Sequence, residues 1–138
     1  MIILDTNVLS ELMLRTPSEN VLKWIDSQPR SSIWTTAVTV FEIRFGIEIV
    51  PASKRRSAMI DDFERVLDSF ERRVAGFDVE AAEHASTLMA SRKLKGRPRE
   101  DRDTMIAAIV LAHHATLATR NVSHFDDLSA PIVNPWTA

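Results

Sequence analysis

The sequence predicts an α/β fold in which helices cover both faces of a parallel sheet. Two observations predict it. Short apolar, β-branched runs alternate with helical periodicities along the whole chain, the pattern of β-α-β units. One helical run, Met105 to Ala112, is apolar almost throughout, as expected of a helix buried on more than one side.

The elements follow in order. Ile2-Ile3-Leu4 is an apolar run stopped by a carboxylate and reads as a buried strand. Asp5-Thr6-Asn7 offers cap chemistry, so Val8 to Leu14 reads as a helix. Glu19 to Ser27 places Val21, Leu22 and Ile25 at helical spacing, and Pro29 ends the run. Ser32 to Thr36 is β-branched and aromatic, hence a strand. Ala37 to Ile49 is helical and closes at Pro51. Ser57 to Phe70 sets Met59, Ile60, Phe63, Val66, Leu67 and Phe70 on one helical stripe. Val74 to Phe77 reads as a short strand, and Asp78 caps a helix to about Leu94. Gly96 and Pro98 interrupt the chain. Thr104 to Ala115 is the buried helix, and Thr116 to Thr119 and Pro131 to Val133 are the last strands. No internal repeat or low-complexity segment divides residues 1–138, which read as one domain.

Composition narrows the function classes. The 138 residues are 45% hydrophobic and 26% charged, ordinary for a globular domain able to bury its own core. There is no cysteine, which excludes disulfides, thiolate catalysis and the usual structural zinc sites. Nothing requires an oxidising compartment, and the apolar N-terminal run is too short for a signal peptide or membrane span, so the expected location is the cytoplasm. A net charge of −2 gives no general field for nucleic acid; a polyanion would need a local patch. Ser91 to Arg102 offers one, with Arg92, Lys93, Lys95, Arg97, Arg99 and Arg102 against Glu100 and Asp101. Lys54-Arg55-Arg56 offers another, and a solvated surface is the competing reading of both.

Three carboxylates carry the chemistry. In open parallel sheets, ligands sit beyond the carboxyl ends of the strands. Asp5 ends the first strand, Arg120 and Asn121 follow the fourth, and Asp103 opens the helix that feeds the fourth. Asp5 and Asp103 also read as helix caps. Glu42 is more telling: its helical neighbours are Val38, Phe45, Gly46 and Ile49, with Thr39 the one polar residue nearby. A carboxylate there must be protonated, paired or metal-bound. An arginine pair is the competing reading, although Arg44 points the wrong way. Carboxylates gathered at one edge repel, and a divalent cation relieves the conflict. Oxygen-only ligation favours Mg²⁺ or Mn²⁺, an ion that polarises phosphate and acidifies water.

These residues resemble the PIN-domain family, and within it the VapC-like toxins of toxin–antitoxin pairs. The matching segments are Ile3-Leu4-Asp5-Thr6-Asn7-Val8, Thr39 to Gly46 around Glu42, Asp103 to Ala108, Ala118 to Val122 and Asn134-Pro135-Trp136, in the family's order over nearly the whole chain. The resemblance implies a five-stranded parallel sheet between helices. It implies Mg²⁺- or Mn²⁺-dependent hydrolysis of RNA in a homodimer silenced by a cognate antitoxin. Asp5, Glu42 and Asp103 fall on its acidic positions, and Thr6, Asn7 and Thr119 on its supporting polar ones. Asn121 stands where many members carry a fourth acid, which weakens a second metal; Asp126 or Asp127 could substitute, against the reading of an exposed turn.

The expected function is therefore a metal-dependent endoribonuclease toxin. Asp5 and Asp103 hold the ion, Glu42 assists, Asn121 completes the catalytic set, and Arg97 and Arg99 guide RNA. The alternative is a domain that binds RNA or an antitoxin and cuts weakly or not at all. His84, His113, His114 and His124 read as structural, and Trp24, Trp34 and Trp136 as packing residues. No phosphate-cradling glycine loop is present. An aspartyl-phosphate chemistry would want a second acid at Asn7.

Overall fold

The computed structural model describes residues 1–138. Five parallel strands form one sheet: β1 (Ile2–Leu4), β2 (Ile33–Thr36), β3 (Val74–Ala75), β4 (Thr116–Ala118) and β5 (Ile132–Val133), in the spatial order β3-β2-β1-β4-β5. Six helices connect them: α1 (Thr6–Met13), α2 (Glu19–Asp26), α3 (Ala37–Glu48), α4 (Lys54–Ser69), α5 (Val79–Leu94) and α6 (Asp101–Ala112). The chain builds outward from β1 to β3, then crosses back to lay β4 on the other side of β1. The strand order reverses between β1 and β4, the switch point at which such sheets open a crevice.

Alternation along each strand divides the core in two. Leu4 and Ala118 face a cluster with Val8, Trp24, Ile47, Phe63 and Phe70. Their neighbours Ile3 and Leu117 face the opposite cluster, with Ile106, Ile109 and Phe125. Helices α1, α2 and α4 cover the first face, and α5 and α6 the second. Ile106 to Ile109 on α6 are entirely buried, as the apolar run predicts. Trp24 belongs to the first cluster, Trp136 packs on it, and Trp34 packs on the second.

Helix starts differ from the sequence reading where polar residues lead the first turn. Ser53 accepts a hydrogen bond from the Arg56 amide (3.2 Å), so α4 begins at Lys54 instead of Ser57. Lys54-Arg55-Arg56 is thus a first helical turn, and Arg56 is drawn to Glu48 at 2.7 Å. Helix α6 begins at Asp101, with Glu100 at its cap. Asp103 is accordingly a first-turn residue and not the cap expected of it. Asp78 caps α5 through the Ala81 amide (2.9 Å), as read. Gly96, at φ +67°, makes the left-handed turn that leaves α5.

Candidate functional site

The site grows from the ends of β1 and β4. Asp5 leaves β1 and caps α1, its Oδ1 accepting from the Thr6 amide (2.8 Å). The Thr119 hydroxyl, just past β4, donates to Asp5 Oδ2 (2.8 Å), and Asn7 Nδ2 reaches the same oxygen (3.3 Å). Thr119 Oγ1 in turn accepts from the Asn121 amide (3.0 Å), and Asn7 Oδ1 accepts from the Arg120 amide (3.1 Å). Three supporting polar residues thus fasten two strands that meet 114 positions apart. Glu42 arrives on α3. The Thr6 hydroxyl donates to its Oε1 (3.0 Å) and lies 3.1 Å from the Thr39 hydroxyl. Thr36, which caps α3 through the Thr39 amide (3.1 Å), fixes that helix against the end of β2.

Asp5, Thr6, Asn7, Glu42, Asp103 and Asn121 line one cavity of about 600 Å³, together with Pro98, Arg99, Glu100 and His124. Every predicted catalytic residue is there, and so is Arg99. No three acidic or histidine groups already close into a ligand set; the carboxylates surround a shared space. A larger cavity of about 760 Å³ lies far from them, near the amino end of β2, lined by a mixture that includes Leu12, Leu22, Ile25, Arg65 and Phe70. Size is not decisive: the smaller cavity holds the convergent titratable groups.

Several residues stand elsewhere than expected. Arg97 is exposed, one residue past the left-handed Gly96, and does not line the cavity. Arg92 is no part of a basic surface: it is 2% exposed and grips Asp127. That pairing removes Asp127 as a substitute acid, and Asp126 faces Arg99 at 3.8 Å. Glu42 does have an arginine near it, Arg102 at 3.8 Å, while Arg44 pairs with Glu48. His124, set aside on sequence, lies in the cavity with Nδ1 3.6 Å from Asp103 Oδ2. Neither neighbour was legible, since a contact across 60 or 21 positions leaves no local pattern.

The electrostatics are those of a site short of positive charge. Asp5 is 4% exposed and takes part in no ion pair. Burial pushes its carboxyl above the ordinary aspartate range. The Thr119 hydroxyl and the Thr6 amide pull it back, and the charges of Asp103 and Glu42 add to the rise. Burial also raises Asp103; His124 opposes this, and Glu100 reinforces it. A metal-free folded chain therefore binds more protons at these two groups than the unfolded chain does. Between the ordinary and raised values the contribution of these two groups to stability grows as pH falls. Asp127 has the opposite sign: Arg92 holds it low, and its contribution is lost only as pH drops through that lowered value. The expected Tm profile in chelator rises on mild acidification and falls in stronger acid. A monotonic fall from neutrality would contradict the assignment.

Fold and cavity together define a class: an α/β domain with an acidic, cation-poor cavity at the carboxyl edge of its sheet. Residues 2–130 match the PIN domain. The VapC ribonuclease Y4jK of Sinorhizobium fredii is 42% identical over 137 residues, covering 99% of this chain and 98% of that protein. The toxin FitB of Neisseria gonorrhoeae is 32% identical over 137 residues, with 99% of both covered. The crystal structure of FitAcB from the same organism superimposes with a TM-score of 0.89 over 100% of each chain. The chain belongs to the PIN-domain family.

Proposed function

We propose that the protein is a toxin of a toxin–antitoxin pair, an endoribonuclease that uses one Mg²⁺ or Mn²⁺ ion. The observation that carries this reading is Asp5: a buried carboxylate with raised proton affinity that shares its cavity with two further acids and is paired with no cation. A charge so placed is costly unless something compensates it. Apart from the His124 imidazole, the donors around the cavity are carboxylate, amide and hydroxyl oxygens, which suit a hard divalent ion. The names of the ribonuclease and toxin relatives support the same activity, and the cognate antitoxin and a homodimeric state are carried by family resemblance.

Asp5 and Asp103 would hold the ion, with Glu42 the third carboxylate. When bound, the ion polarises a phosphodiester and makes water a better nucleophile. Glu42 Oε2, approached only by Arg102, accepts the proton of the attacking water. Arg99 supplies a positive group for the phosphate backbone, and Asn121 offers an amide for orientation but no charge for a second ion. Thr6, Asn7 and Thr119 keep the carboxylates in place.

The test is RNA cleavage by purified protein free of any partner chain. Cleavage should require Mn²⁺ or Mg²⁺, stop in chelator and generate new 5′ ends. Equal RNA binding with and without chelator, and no new ends, would favour the binding-only alternative that Asn121 raises.

A further inference from the structure

We propose that Arg92 is the positioning residue of the acidic cavity, a strut that sets Asp103 and the His124 loop at their working separation. The assignment rests on the metal-dependent reading above. Arg92 lies in the last turn of α5 and reaches none of the cavity's own groups by hydrogen bond. Instead its guanidinium joins the two segments that carry them. Nη1 donates to the Thr104 hydroxyl (2.8 Å), adjacent to Asp103. Nε and Nη2 donate as a fork to Asp127 (both 2.9 Å), three residues beyond His124.

The geometry is restrictive. Thr104 Oγ1 passes the connection to the Glu100 carbonyl (3.2 Å), at the cap of α6. The Arg92 carbonyl accepts the Arg97 amide (2.8 Å), holding the α5–α6 turn as well. At its other end the loop is tied by the Asn121 amide to Thr119. The 121–127 loop is thus pinned at both ends, once to Thr119, just past β4, whose hydroxyl donates to Asp5, and once, through Arg92, to the helix that holds Asp103. A planar fork against a carboxylate fixes angle as well as distance. Partners that orient metal ligands typically change metal affinity or activity about 10–100-fold when removed.

The test separates positioning from bulk stability. Arg92→Met is compared with Arg92→Met combined with Asp127→Asn, which leaves no charge unpaired and is expected to fold with a Tm close to wild type. Mn²⁺ alone is titrated calorimetrically, and amide hydrogen exchange is followed in residues 121–127 and the first turn of α6. The double variant should bind Mn²⁺ about 10–100-fold more weakly, with faster exchange in both segments and unchanged exchange in β1 and β4. Wild-type Mn²⁺ affinity in that variant overturns the proposal. If the wild type itself bound no Mn²⁺, the metal reading would fall separately and exchange alone would decide. Unchanged protection would then overturn the role of Arg92, and loss of protection in both segments would uphold it.

Discussion

Asp103→Asn is expected to lower RNA cleavage about 10³-fold or more while leaving the fold intact. Stabilisation of transition-state charge by a bound ion is worth several kcal/mol, and each 1.36 kcal/mol is tenfold in rate. The substitution removes a proposed ligand and a charge but no hydrogen bond on which the core depends. Asp103 is half-buried, and the His124 imidazole lies 3.6 Å from it. Because burial already penalises its charge, the neutral amide should hold or raise the metal-free Tm. Mn²⁺ should stabilise the wild type by mass action and leave the variant unmoved. The outcome for Asp5→Asn differs. Its two oxygens accept from Thr6, Asn7 and Thr119, so an amide nitrogen in either place would face a donor. That variant should lose both activity and stability. Scanning fluorimetry with and without Mn²⁺, alongside a cleavage assay, separates the two. Cleavage by Asp103→Asn at the wild-type rate would sink the assignment.

Asp127→Ala is expected to be among the most destabilising surface substitutions in the chain, at about 3–5 kcal/mol. Asp127 is only partly covered, with 35% of its side chain exposed, yet it is the counter-charge of Arg92, whose side chain is 3% exposed. Truncating it leaves a buried guanidinium with the Thr104 hydroxyl alone. At this chain length the loss corresponds to a Tm decrease on the order of 10–20 °C. Arg92→Met should cost less, because the orphaned Asp127 can turn to water. Urea denaturation of the two single variants measures the asymmetry. Equal losses would mean that the pair acts through packing and not through charge.

The sequence made the architecture legible because its cues are local. Each strand is a short apolar run, each helix has its stripe, and Asp5, Glu42 and Asp103 stand where strand ends and a conflicted helical face point to one edge. Helix starts were harder, since Ser53 and Glu100 begin helices through polar first turns that a search for apolar periodicity passes over. The second tier of the site was hidden for a different reason. Arg92 sits in a run of basic residues that looks solvated, and only its partner 35 positions later makes it a buried clamp. Arg102 beside Glu42 and His124 beside Asp103 are likewise products of tertiary approach. Local chemistry thus gave the carboxylates, and folding supplied what surrounds them.

The placement of β1 beside β4 has a consequence for synthesis. Strand β1, which leads into Asp5, is synthesised before β4, but the hydroxyl that fixes Asp5 belongs to Thr119, 114 positions later. No nascent or proteolysed fragment that stops short of β4 can assemble the cavity. A cavity of this design therefore has no working geometry until Thr119 has been synthesised and has packed beside Asp5.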